Sequence, residues 1–181
     1  MTINSAIQAR EEELNNKRLA AIDIGTNSIR CIVVEVCGDD DYRILDDEKA
    51  AVRLGAGLYT SGSICSDSWQ AAGEALFRMR SIASGFGVRA VEAVATSAVR
   101  KADNGREFLD DMQERGGFPI RLISGEEEAE LAALSAWRHF DMAQTRHALL
   151  DIGGGSAEIV LATGDHIEEI YSLEAGAVFM T

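Results

Sequence analysis

Two short glycine-bearing turns constrain this chain more than anything else in it. They are Asp23-Ile24-Gly25-Thr26-Asn27-Ser28 and Asp151-Ile152-Gly153-Gly154-Gly155-Ser156. Each follows an apolar run, Leu19 to Ile22 or Ala148 to Leu150, and each precedes another, Ile29 to Val36 or Ala157 to Leu161. Aligned at Asp23 and Asp151, the aspartate, the isoleucine, the first glycine and the serine recur in register. The pattern predicts one supersecondary unit used twice: strand, tight turn, strand, with an acid at the end of the first strand. Such a turn offers backbone N–H groups and a hydroxyl to an anion, beside a carboxylate able to hold a metal. Used twice, it predicts two lobes gripping one phosphorylated ligand.

A chain of 181 residues suits one domain, or one domain and part of another. Hydrophobic residues at 46% supply a core, and a single proline leaves the elements uninterrupted. The net charge of −13 argues against a nucleic-acid surface, which needs a basic excess, and it also opposes a long polyanion unless cations offset it locally. Cys31, Cys37 and Cys65 lack metal-ligand spacing and read as free thiols of a reducing compartment. With no signal-peptide pattern and no long apolar run, a cytoplasmic protein without membrane contact is expected.

Along the chain, residues 1–17 read as a mobile lead-in. Strands are expected over Leu19–Asp23, Ser28–Val36 and Tyr42–Leu54, with a turn at 38–41. A glycine-rich loop, 55–62, leads into a helix from Ser66 to Ser84, whose Trp69, Ala72, Leu76, Met79 and Ala83 form one buried stripe. A strand Ala90–Ala95, a helix Lys101–Arg115, a short strand before Ser124 and a helix to Phe140 follow. His147–Asp151, Ser156–Ala162 and His166–Ser172 then open a second set of strands, which without covering helices cannot bury both faces. The domains expected are therefore a first lobe over 18–140 and the start of a second, incomplete one over 141–181.

Four segments in order carry a family resemblance: Ala21-Ile22-Asp23-Ile24-Gly25-Thr26-Asn27-Ser28, Ala95-Thr96-Ser97-Ala98-Val99-Arg100-Lys101-Ala102, Ile123-Ser124-Gly125-Glu126-Glu127-Glu128-Ala129, and Leu150-Asp151-Ile152-Gly153-Gly154-Gly155-Ser156-Ala157-Glu158. Together they closely resemble the exopolyphosphatase and guanosine pentaphosphate phosphatase family. Arg53 to Leu58 and Gly176-Ala177-Val178 fit the same pattern, so the resemblance covers about residues 18–181. It implies the fold shared by actin, hexokinase and the Hsp70 ATPase: α/β, with ribonuclease H-like lobes, a mixed sheet in each, and phosphates in the cleft between them. It also implies a homodimer in the complete protein. Two departures from the family pattern are Thr26, where serine is frequent, and Ala157, where threonine is usual.

For chemistry, hydrolysis of a terminal phosphoanhydride needs neutralised phosphoryl oxygens and a positioned water. Asn27, Ser28 and the turn from Gly153 through Gly154 and Gly155 to Ser156 are natural phosphate contacts and equally natural turn residues. Arg100 could fork onto a phosphate, or be a surface arginine at a helix start, where the dipole disfavours it. Glu126, Glu127 and Glu128 open a helix, and Ser124 with Glu127 makes a capping box. Helical periodicity does not select among the three acids; the resemblance selects Glu128 as general base. Asp151 and Glu158 offer hard oxygens suited to Mg²⁺, with Asp23 either joining them or capping its own turn. The histidines lack metal spacing, and no P-loop run is present.

These readings converge on a Mg²⁺-dependent hydrolase releasing terminal phosphate from inorganic polyphosphate or guanosine pentaphosphate. Two alternatives stand beside it. One is a non-catalytic phosphate-binding or dimerisation lobe of a larger enzyme, inactive alone; the other is a fragment of a small-molecule kinase of the same fold.

Overall fold

A computed structural model of the chain describes residues 17–38 and 41–178. The lead-in expected over 1–17 therefore lies, except for Lys17, outside the described residues, as do Asp39 and Asp40 of the first expected turn. The elements run β1 (Arg18–Ile24), β2 (Ser28–Val36), β3 (Tyr42–Ala51), α1 (Leu58–Ser61), α2 (Ser66–Gly85), β4 (Ala90–Ala95), α3 (Ser97–Lys101), α4 (Gly105–Gly116), β5 (Arg121–Leu122), α5 (Gly125–His139), β6 (Arg146–Ile152), β7 (Ala157–Thr163) and β8 (His166–Leu173).

The first sheet is mixed, ordered β3-β2-β1-β4-β5. β1, β2 and β3 pair antiparallel, whereas β1–β4 and β4–β5 pair parallel. Alternation along β1 and β2 sends Ala20, Ile22, Ile24, Ile29, Cys31 and Val33 to one face, where they join Ala72, Leu76 and Met79 of α2 in a single core. The parallel pairing Ile24↔Ala95 sets the end of β4 beside the end of β1, so the segment after Ala95 arrives next to the first glycine turn.

Two expected elements end differently. β3 stops at Ala51 because the N–H groups of Val52 and Arg53 leave the ladder and donate to the Asn27 carbonyl at 3.1 and 2.9 Å. The helix expected over Lys101–Arg115 starts later, at Gly105, as α4, and a separate short helix, α3, precedes it. Between them Ala102 is extended, and the Asn104 amide brackets Ile64, accepting from its N–H at 2.9 Å and donating to its carbonyl at 3.0 Å. Trp69 of the expected stripe is partly buried at the core's edge. Its ring meets Phe108 edge-on at 5.2 Å, and its Nε1 donates to Asp111 Oδ2 at 2.5 Å.

β6, β7 and β8 form a second, antiparallel sheet. Helix α5 covers one face of it: Ala129 and Ala133 pack with Val160 and Ala162, flanked by Trp137, Leu149, Ile167 and Ile170. No helix among the described residues is long and apolar enough to cross a membrane.

Phe108 is fully buried, so Phe108→Ala should cost about 3–5 kcal/mol. Phe77, 65% exposed on the neighbouring helix, should cost less than about 0.5 kcal/mol as alanine. Urea unfolding of both variants checks the contrast; equal losses would mean that the core lies elsewhere.

Candidate functional site

The duplication read in the sequence is repeated in the backbone. The Gly25 N–H donates to the Ser28 carbonyl at 3.1 Å, and the Gly153 N–H donates to the Ser156 carbonyl at 2.9 Å. Each turn is then braced from behind by a later segment. Gly55 N–H donates to the Thr26 carbonyl at 3.0 Å, whereas Ala177 and Val178 donate to the Gly153 and Gly154 carbonyls, both at 2.9 Å. Arg53, whose N–H supports the first turn, has φ +52, the one positive φ at a non-glycine among the described residues.

The turns face each other across a cleft of about 220 Å³. Of the residues singled out from sequence, Asp23, Asn27, Ser28, Glu128, Asp151, Gly153, Gly154, Gly155 and Ser156 line it. The lobes meet at the second turn. A methyl placed on Gly155 would lie 2.5 Å from Thr26 Oγ1 and 2.7 Å from Ser97 Oγ, and one on Gly154 would lie 3.2 Å from Thr26 Cβ. Only glycine allows that approach.

Arg100 and Glu158 sit just behind the cleft lining. Arg100 lies in the last turn of α3, where the helix dipole favours a cation, and not at a helix start as the sequence reading had it. Its Nη1 donates to the Ile123 carbonyl at 2.8 Å and stands 3.5 Å from Glu128 Oε2. Glu158 is buried, and Ser172 Oγ donates to its Oε1 at 3.3 Å. Ser124 caps α5 by accepting from the Glu127 N–H at 3.1 Å, but the Glu127 carboxylate pairs with Arg121 instead of reaching back to the cap. Glu127 is thus a surface and capping residue, while Glu128, the next residue on the helix, opens on the cleft.

Crowded acids set the electrostatics. Burial, and then the Glu158 carboxylate, push Glu128 from an ordinary 4.5 up to about 7, with Asp23 adding to the rise and Arg100 opposing it. Asp23 is reached by solvent yet walled by protein; burial and then Asp151 raise its carboxyl, and Arg30 pulls it down. Two carboxylates repelling each other across the cleft are hard donors that a divalent cation would relieve, so Asp23 and Asp151 fit Mg²⁺. Among the described residues no three acids, histidines or cysteines gather closely enough to hold an ion by themselves.

Four further residues belong to the site. Thr26, Thr96 and Ser97 add hydroxyls to the cleft lining, and Lys101 Nζ donates to the Gly155 carbonyl at 2.9 Å across the lobes. Thr26 sits in the first turn itself; the signal for the others is the pair Thr96-Ser97 directly after the apolar strand Ala90–Ala95, with Lys101 four residues on. Its meaning depends on the parallel pairing of β4 with β1.

Residues 32–181 match the Ppx/GppA phosphatase family. An exopolyphosphatase from Cytophaga hutchinsonii superposes with a TM-score of 0.86 at 31% identity, over 90% of this chain and 52% of that one. The Aquifex aeolicus PPX-GPPA enzyme gives 0.79 at 30% identity, over 91% and 54%. MreB5 of Spiroplasma citri, in a structure bound to ADP, gives 0.50 at 17% identity, over 90% and 53%, a likeness of fold alone. The chain spans about half the length of these solved structures.

The raised Glu128 carboxyl has a consequence for stability. A carboxyl whose pKa is higher folded than unfolded contributes stability below about 4.5, and this is lost as the pH rises through 7. Glu128→Gln, which cannot ionise, should therefore melt at a higher temperature than the parent at pH 8. The gap should close as the pH falls below 7 and towards 4.5. Thermal unfolding across that range tests it, and a gap independent of pH would contradict the assignment.

Proposed function

The chain belongs to the Ppx/GppA phosphatase family, and from that premise we propose that it forms the phosphate-binding part of a phosphoanhydride hydrolase. The ligand is the terminal phosphate of inorganic polyphosphate or of guanosine pentaphosphate. Of the readings open from the sequence, the better supported has this chain binding phosphate as one part of a larger enzyme, with turnover belonging to the longer protein. The observation that carries the proposal is the cleft itself: two matching turns face each other around a carboxyl whose pKa stands at about 7.

In this reading the Asn27 and Ser28 side chains and the amides from Gly153 to Ser156 hold the phosphoryl oxygens. Arg100 stands beside Glu128 as the cation closest to that carboxylate. Ionised Glu128 takes a proton from a water as the water oxygen bonds to the terminal phosphorus. The bridging P–O bond breaks, and its electron pair leaves with the shortened chain. A carboxyl near 7 suits this task, being ionised in part at neutral pH yet basic enough to hold the proton. Mg²⁺, which Asp23 and Asp151 would hold with Glu158 behind them, neutralises charge on phosphate oxygens when bound. The actin-like arrangement of the lobes belongs to the same proposal, supported by the mixed first sheet and the second sheet that begins as the first does.

The test has two arms. Isothermal calorimetry on the 181-residue chain with Mg²⁺ and tripolyphosphate should show binding, with no phosphate released. In the longer protein, Glu128→Gln should lower turnover by roughly 10²–10⁴-fold while leaving binding nearly intact. Unchanged turnover would remove Glu128 from the mechanism, and failure of the parent chain to bind would remove the cleft.

A further inference from the structure

Ser97 is the first residue of α3, two positions beyond the end of β4. It is 1% exposed, and its hydroxyl has no hydrogen-bond partner among the described residues, the one buried side-chain polar atom there in that position. Its neighbours Ala98 and Val99 are apolar and equally buried. Alanine would fill the same space without taking a hydroxyl out of water, so for folding alone serine is the worse residue here. A hydroxyl kept at such a cost points to a partner that arrives from outside.

The surroundings of the hydroxyl identify that partner. Ser97 lines the cleft between the glycine turns, and its Oγ approaches Gly155 together with Thr26 Oγ1. The same cleft is lined by the backbone of the second turn and by Thr26, Asn27 and Ser28, all neutral donors, together with the carboxylates of Asp23, Glu128 and Asp151. On the reading that this cleft takes a phosphoryl group, we infer that the Ser97 hydroxyl donates to one of its oxygens. Ser97 belongs to neither turn. It is a third contact, delivered by the strand that pairs parallel with β1.

Ser97→Ala separates this role from packing, because the two make opposite demands on stability. Parent, S97A and S28A chains are compared by thermal unfolding without ligand and by calorimetry with Mg²⁺ and tripolyphosphate. S97A should melt about 2–4 °C higher than the parent and bind about tenfold more weakly. If S97A binds as tightly as the parent while S28A binds more weakly, the inference falls and the phosphate cleft stands. If the parent does not bind, both fall. A lower melting temperature for S97A would make Ser97 a packing residue and overturn the inference.

Discussion

Gly155 is the point on which the two halves of the structure bear. The hydroxyls of Thr26 and Ser97 press against it from the first sheet's side, and its carbonyl accepts a hydrogen bond from Lys101. Gly154 is wedged on Thr26 in the same way. Because a Cβ at Gly155 would collide with two side chains, the second turn can lie this close to the first only as bare backbone. That contact sets the width of the cleft, and with it the reach of every group lining it. The braces behind the turns, residues 52–55 on one side and 177–178 on the other, engage carbonyls and so keep both loops in shape.

The same approach creates the electrostatics. Glu128 rides on α5, whose apolar side is packed against the second sheet, while Arg100 is carried by α3 of the first. Their 3.5 Å contact therefore spans the halves, as does the bond from Lys101 to Gly155. Bringing the halves together sets Asp23 against Asp151, whereas Glu128 and Glu158 meet within the second half, α5 lying on the sheet that carries Glu158. The raised Asp23 carboxyl thus follows in part from the packing of the lobes, and the raised Glu128 carboxyl from burial and from its neighbour within the second half. Any motion that opened the cleft would relieve Asp23 of the Asp151 charge.

The turns were legible in the sequence because their chemistry is local: an acid ending a strand, then glycine and hydroxyl residues at fixed offsets. The buried stripe of α2 was legible from its 3.6-residue period. The break between α3 and α4 was not, because it depends on Asn104 reaching Ile64, forty positions earlier. Nor was the dipole setting of Arg100, which changed sign with that break. The allegiance of α5 was hidden for another reason: a helix apolar almost all round does not declare which sheet it will cover. Thr96, Ser97 and Lys101 were hidden by topology, since only the parallel register of β4 against β1 brings them to the turns.

The two hairpins share a backbone, but they do not share charge. Opposite Asp23 in the ladder stands Arg30, and opposite Asp151 stands Glu158. Arg30 is clamped by Asp47 through two bonds of 2.8 and 2.6 Å and still draws the Asp23 carboxyl down. Glu158 at the matching position pushes Glu128 up. The first turn is rich in side-chain donors, with Thr26, Asn27 and Ser28 in succession, whereas the second has three glycines that offer backbone and a single hydroxyl, that of Ser156. One unit has therefore been divided between two tasks. The first half supplies hydroxyls and a cation; the second supplies close approach and the acid that, after burial, raises the Glu128 carboxyl. The exchange of arginine for glutamate at one ladder position is what sets the charges of the two hairpins apart, the arginine drawing one carboxyl down and the glutamate pushing another up.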